Sequence, residues 1–293
     1  MPPCDVGILN IDKPAGWTSH DVVARLRRIT GVRRIGHAGT LDPLATGVLV
    51  VCVGAATRLA EYLMAGDKRY EATLRLGVET DTWDADGRVV AQGDASGVDV
   101  ARFEAACARF VGEIEQTPPL YSAIKRDGQP LYRLARRGEE VRVDPRPVTI
   151  HSIALRSFTP PLATIDVTCS KGTYIRALAH DLGVALGCGA HLAALRRLRS
   201  GGIEVGGAVA LDALSPANWR AHLLSAWQVL ADQQRAIVTA EQRAELLLGR
   251  AIALAAAGKG PCFAFDEGHE VLAVLAPGDA PGIWRPIKVL ATA

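Results

Sequence analysis

Residues 35–47 read Ile35-Gly36-His37-Ala38-Gly39-Thr40-Leu41-Asp42-Pro43-Leu44-Ala45-Thr46-Gly47, and Asp42 is the only acid among them. Glycines, small residues and a proline flank it, so the backbone can turn sharply and approach a ligand closely. The apolar run Val48-Leu49-Val50-Val51-Cys52-Val53 follows directly and reads as a buried strand. A lone carboxylate on a tight loop at the mouth of such a strand suits catalysis, because loops held by a rigid scaffold carry function. A turn aspartate bonding its own backbone before Pro43 fits the same residues. Spacing alone leaves both readings open.

On the N-terminal side, residues 7–14 read as a short strand ending at Pro14, and Thr18 or Ser19 offers an N-cap for a helix over 21–29. Its apolar positions 22, 23, 26 and 29 share one face. Arg25, Arg27 and Arg28, with Arg33 and Arg34, place five arginines in ten residues. That run is either a solvated helix face or an RNA-facing basic edge leading into the Asp42 loop.

On the C-terminal side, 57–64 reads as a short helix and 68–77 alternates like a half-buried strand. The acidic cluster Glu79, Asp81, Asp84 and Asp86, with Gly87, reads as a solvent loop. It is not a calcium loop, because the EF-hand spacing and its closing glutamate are absent. Residues 100–111 carry helical periodicity with Cys107 towards the core, and a proline-bounded extended segment follows over 116–125. From Lys125 to Arg146 there are seven Lys/Arg against four Asp/Glu, with Tyr132 among them. Charge for phosphates and rings for bases suit an RNA-facing insertion, although an ordinary surface helix has the same composition.

Residues 150–158 and 163–170 read as paired strands, and Lys171-Gly172-Thr173 turns into a helix over 174–186. Arg176 falls in its first turn, where a cation opposes the helix dipole, so an anionic partner is expected. Leucines and arginines at i, i+3 spacing over 192–199 predict an amphipathic helix with a basic edge, and a further helix is predicted over 218–230. From about 231 the pattern changes to a helix over 240–249 and short strands over 261–265, 271–275 and 283–289. These suggest a small separate β-rich unit.

Composition sets limits on function. The 293-residue chain is 49% hydrophobic and 22% charged, as in an ordinary globular protein rather than a disordered one. A formal net charge of +2 does not declare a nucleic-acid partner, so such a reading needs local basic patches. The start, Met1-Pro2-Pro3-Cys4-Asp5, lacks a signal-peptide pattern, and a cytoplasmic location is expected. The longest apolar stretch, 48–56, is well short of the roughly 20 residues a membrane span needs. Six cysteines at 4, 52, 107, 169, 188 and 262 show no close ligand spacing, so they read as reduced and without metal.

The 36–49 block and the upstream Asp12-Lys13-Pro14-Ala15-Gly16-Trp17-Thr18-Ser19-His20 resemble the two N-terminal motifs of the bacterial TruB-type tRNA pseudouridine-55 synthases. The resemblance continues through Asp67-Lys68-Arg69-Tyr70, Lys171-Gly172-Thr173-Tyr174-Ile175-Arg176 and residues 189–197. It implies an α+β fold: a catalytic domain over 1–230 with a central mixed/antiparallel sheet flanked by helices, then a β-rich PUA-like RNA-binding domain over 231–293. An RNA-clasping thumb is implied at about 124–147.

The implied reaction isomerises uridine 55 of the tRNA T-loop to pseudouridine, with Asp42 as catalytic nucleophile and Arg176 paired to it. Tyr70 would stack on the flipped base and handle the C5 proton. Tyr174 and Leu195 would line the base pocket, His37 would touch the flipped region, and Lys13 and Lys125 would contact phosphate. No cofactor or metal is implied, and the partner is the T-arm of tRNA. A membrane or an obligatory protein partner is not expected, and the chain is expected to be a monomer. A non-catalytic RNA-binding protein using the same surface is the alternative. An aspartic protease is excluded by the lack of a second Asp-Thr-Gly-like segment.

Overall fold

The structure, a computed structural model, describes residues 5–121, 125–126, 129–130, 143–255, 258 and 260–290. Most of the expected thumb, including the side chain of Lys125, lies outside the described residues. The chain divides into two compact units, residues 1–43, 47–65 and 200–293 in the first and 44–46 and 66–199 in the second.

The first unit opens with β1 (Gly7–Lys13), α1 (Ser19–Thr30), β2 (Ile35–His37) and β3 (Thr46–Val53), followed by α2 (Ala60–Ala65). The apolar run predicted as a strand is β3, buried from Gly47 to Val53. It pairs antiparallel with β1 from Lys13↔Gly47 to Gly7↔Val53, and β2 adds to it through His37↔Val51. Helix α1 starts where its cap predicts: Thr18 and Asp21 form a reciprocal capping box. Val22, Val23, Leu26 and Ile29 are buried, as their shared face requires.

The second unit holds β4 (Lys68–Leu76), the hairpin β5 (Val78–Thr80) and β6 (Val89–Gln92), α3 (Val100–Ala108), β7 (Gly112–Gln116), and the short pair β8 (Lys125–Arg126) and β9 (Gln129–Pro130). Next come β10 (Arg146–Thr159), β11 (Leu162–Cys169), α4 (Ile175–Leu186) and β12 (Ala190–Ser200). Its strands lie in the order β12-β4-β11-β10-β7. In β4 every second residue is buried: Lys68, Tyr70, Ala72, Leu74 and Leu76 face inward.

The helix predicted over 192–199 is instead this strand β12. Its leucines and arginines do sit at helical intervals, but β4 lies beside it and claims its main-chain hydrogen bonds. Sheet context overrides spacing in this way when both faces are packed.

The first unit resumes with β13 (Ile203–Glu204), β14 (Val209–Ala210), β15 (Leu223–Leu224), α5 (Ala226–Val229), β16 (Arg235–Ile237), α6 (Ala240–Leu247) and β17 to β20 (Ile252–Ala253, Cys262–Phe265, Val271–Pro277, Ile283–Val289). The helix predicted over 218–230 is broken. Leu223 and Leu224 pair with Leu9 and Ile8 of β1, and helix restarts only at α5, under a new capping box of Ser225 and Gln228. The last strands form a five-stranded sheet in the order β16-β18-β19-β20-β17. It has its own core around Leu246, Leu272 and Trp284. Phe263, Phe265 and Val274 also share a core with Val48, Val50 and Leu59, so this sheet is not insulated from the N-terminal strands.

Candidate active site

In the first unit the motif 12–20 folds onto the Asp42 loop. Ser19, 1% exposed, donates from Oγ to the carbonyl of Leu41 at 3.1 Å and accepts from its N–H at 2.9 Å. On the other side of Asp42, the carbonyl of Pro43 accepts from Lys13 Nζ at 3.1 Å and from the N–H of Gly16 at 2.8 Å. Gly16 has φ +78°, a conformation that favours glycine. Asp42 itself is half-buried. Its two chain neighbours are therefore both pinned, which fixes the carboxylate by its backbone.

Lys13 is wholly buried. Its ammonium also donates to the carbonyls of Pro14 at 2.9 Å and Trp17 at 2.6 Å. Burial and these three carbonyl contacts argue against the phosphate contact that the resemblance implies for Lys13. His37, half-buried, lies edge-on to His20 with ring centroids 5.3 Å apart.

Of the five arginines in the basic run, Arg27 donates to the carbonyl of Ile35 at 2.8 Å and Arg34 to Thr57 Oγ1 at 2.7 Å. These two brace the fold. Arg25 and Arg28 remain exposed and, with Asp12, Trp17 and Asp212, line an open cavity of about 440 Å³.

In the second unit Tyr70 is 8% exposed on the inward face of β4. Lys68 shares that face, and burial, with the nearby Arg197 charge, lowers its ammonium pKa to about 8. Tyr174 is the N-cap residue of α4. Gln116 grips its backbone twice, donating to the carbonyl at 3.0 Å and accepting from the N–H at 2.7 Å. Leu195 is 7% exposed on β12, and its carbonyl accepts from Thr46 Oγ1 at 3.4 Å.

Arg176 lies in the first turn of α4 and is 4% exposed. Its guanidinium donates to the carbonyls of Tyr121 at 2.9 Å and Thr82 at 3.3 Å, and Nη1 stands 3.4 Å from Asp84 Oδ2. The anion that the helix dipole called for is present, and it is Asp84. The acidic cluster is therefore not simply a solvent loop: Asp84 is 4% exposed, its Oδ1 accepting from Thr82 Oγ1 at 2.5 Å and from the N–H of Asp86 at 3.1 Å. The loop is tight, since a Cβ on Gly87 would fall 2.2 Å from Thr82 Oγ1.

Sequence reasoning missed Ser19, Gln116 and Asp84. Ser19 was read only as a cap, and Asp84 was counted with its acidic neighbours. The Arg176 cation in the first turn of its helix was the signal that called for a nearby acid. Among the described residues no group of three or more His, Cys, Asp or Glu is placed to hold a metal, and no helix is long and apolar enough to cross a membrane.

The TruB family pseudouridylate synthase N-terminal domain matches residues 27–175, and the tRNA pseudouridylate synthase B C-terminal domain matches 176–237. The tRNA pseudouridine synthase B of Syntrophotalea carbinolica is 49% identical over 277 residues, 94% of this chain and 90% of that protein. The protein of that name from Symbiobacterium thermophilum is 51% identical over 251 residues, 85% of this chain and 83% of its own length. Among solved structures, a chain of an archaeal box H/ACA sRNP Nop10–Cbf5 complex superposes with a TM-score of 0.76 at 25% identity, covering 99% of this chain and 87% of that one. A chain of a Cbf5–Nop10–Gar1 complex gives 0.75 at 26% identity, covering 98% and 85%. With pinned neighbours around Asp42, a buried Arg176 and relatives of about half-identical sequence along nearly its whole length, this chain belongs to the TruB family of pseudouridylate synthases.

Proposed function

We propose that this chain is a tRNA pseudouridine synthase that isomerises uridine 55 of the T-loop, with Asp42 as its nucleophile. The observation that carries the reading is the double anchoring of the Asp42 loop through Leu41 and Pro43. Isomerisation breaks the bond from C1′ to N1 and forms one from C1′ to C5 of the same base. The C5 proton leaves and N1 gains one, so no oxidant or group donor is consumed. A fixed carboxylate beside a water-poor pocket meets that demand.

In this reading Arg176 keeps Asp42 ionised and oriented, since a nearby cation favours the carboxylate form. A T-loop uridine must leave its stack to be reached, at a cost of a few kcal/mol. Tyr70, buried on the inward face of β4, returns roughly 1–3 kcal/mol by stacking on the base and handles the C5 proton. Tyr174 and Leu195 line the base pocket, and His37 touches the flipped region. Residues 1–230 form the catalytic domain, 124–147 its thumb, and 231–293 a PUA-like module that binds RNA. The chain acts on tRNA as a monomer, without an obligatory protein partner.

The test compares wild type with Asp42→Asn on an unmodified tRNA transcript, scoring pseudouridine and binding separately. Normal binding with no product is expected of the variant. Wild type that binds but converts no uridine would replace the enzyme with a tRNA-binding protein.

A further inference from the structure

Trp83 stands immediately before Asp84 and has φ +63°, in the left-handed region that a bulky aromatic residue rarely adopts. Such an outlier persists only where its surroundings over-determine it, and such positions gather at functional sites. Here the indole lies stacked on the imidazole of His180, with centroids 4.4 Å apart and planes 22° from parallel. His180 is in turn oriented by Asp181, whose Oδ1 is 3.2 Å from His180 Nδ1.

His180 and Arg176 are four residues apart on α4, one turn along the same face. Adjacent residues of the β5–β6 loop therefore grip one helix at two points a turn apart. Trp83 takes the ring of His180 and Asp84 takes the guanidinium of Arg176. The backbone between them is held as well: the carbonyl of Trp83 accepts from the N–H of Leu192, and the N–H of Ala85 donates to the carbonyl of Leu192. Within the loop, Thr82 and the Asp86 N–H hold the Asp84 carboxylate, but towards α4 its hold is the one ion pair with Arg176. The ring contact one turn away gives the loop a second attachment to that helix.

We infer that the Trp83–His180 stack is a positioning device, which sets the Asp84 carboxylate on Arg176 so that the guanidinium is aligned for the isomerisation. This rests on the proposed catalytic role of Arg176. The ring-to-ring contact, rather than the charge of the histidine, is the working part.

The test measures single-turnover pseudouridine formation on an unmodified tRNA transcript at saturating enzyme, alongside tRNA affinity, for His180→Ala, His180→Phe, Trp83→Gly, Asp84→Asn and the His180→Ala/Asp84→Asn pair. His180→Ala is expected to lower the rate about tenfold with affinity within about twofold, a loss of about 1.4 kcal/mol in transition-state stabilisation. His180→Phe, which keeps a ring under the indole, should recover most of it. Trp83→Gly relieves the left-handed backbone while removing the ring, so it tests the stack without that strain, and it should match His180→Ala. The double variant should be no slower than Asp84→Asn alone, because the stack acts through that carboxylate. An unchanged rate in His180→Ala and Trp83→Gly beside a slow Asp84→Asn, or additive losses in the double variant, would overturn the inference. A normal rate in Asp84→Asn would instead remove the Arg176 reading beneath it.

Discussion

Arg176 and Asp84 form a buried ion pair, Nη1 to Oδ2 at 3.4 Å, with 4% and 6% of their side chains exposed. A guanidinium in the first turn of a helix is repelled by the positive end of the dipole. Asp84 offsets that repulsion, and the carbonyls of Tyr121 and Thr82 take up further donors. The loop acid is thus the condition for placing an arginine at this point of α4.

Removing the acid should therefore cost stability as well as rate. Replacing Asp84 by leucine takes the carboxylate away from the buried Arg176 cation, and breaking one side of a buried pair costs about 3 kcal/mol. Asp84→Asn retains the hydrogen bonds from Thr82 and Asp86 in part and should lose less. Urea denaturation of the two variants against wild type orders these outcomes. Equal stability for all three would show that Arg176 does not depend on Asp84.

The clamp on Leu41 gives a second expectation. Ser19→Ala removes both hydrogen bonds to Leu41 inside the protein, where an unsatisfied group costs about 1–3 kcal/mol. The loop should loosen around Asp42, so the single-turnover rate should fall by about an order of magnitude while tRNA affinity holds. A parallel loss of affinity would place Ser19 in binding rather than in holding the loop.

Much of this site was legible in the sequence. The glycine-flanked Asp42, the cap before α1 and the alternation of β4 are local signals, and the structure answers each locally. What was hidden depended on partners distant in sequence. Residues 192–199 have helical spacing and a strand's neighbours. Residues 218–230 are helical in pattern until Leu223 and Leu224 are claimed by β1. Asp84 looks like its more accessible neighbours Asp81 and Asp86 until Arg176, far along the chain, is laid beside it. Lys13 was expected to contact phosphate from the resemblance, and its contacts with Pro14, Trp17 and Pro43 are not visible in its own neighbourhood of sequence.

The role of Lys13 can be tested through salt. Each phosphate neutralised contributes about 0.7–0.9 to the slope of log affinity against log salt concentration. Lys13→Met should leave that slope at the wild-type value while lowering the rate, because the ammonium is engaged by Pro14, Trp17 and Pro43. Arg28→Ala, at the exposed cavity beside Trp17, should reduce the slope by about one such unit if that edge meets RNA. A lower slope for Lys13→Met would restore the phosphate reading.

Lys68 supplies a pH dependence whose sign follows from burial. Its ammonium titrates at about 8 in the folded chain, below the ordinary lysine value of 10.5, chiefly because it is withdrawn from water and secondarily because Arg197 is near. Below pH 8 both states carry the proton, and the folded state bears the whole cost of burying the charge. Between about 8 and 10.5 the unfolded chain holds the proton more firmly than the folded one, so stability rises with pH across that window. Lys68→Met has no such group. Urea melts of both proteins at several points through the window should show wild type gaining on the variant as pH increases, with the neutral amine still able to donate to the carbonyl of Gly66. A difference that stays constant across the window would mean that the ammonium is solvated, and Tyr70 would then share its face of β4 with water rather than with a dry, positively charged neighbour.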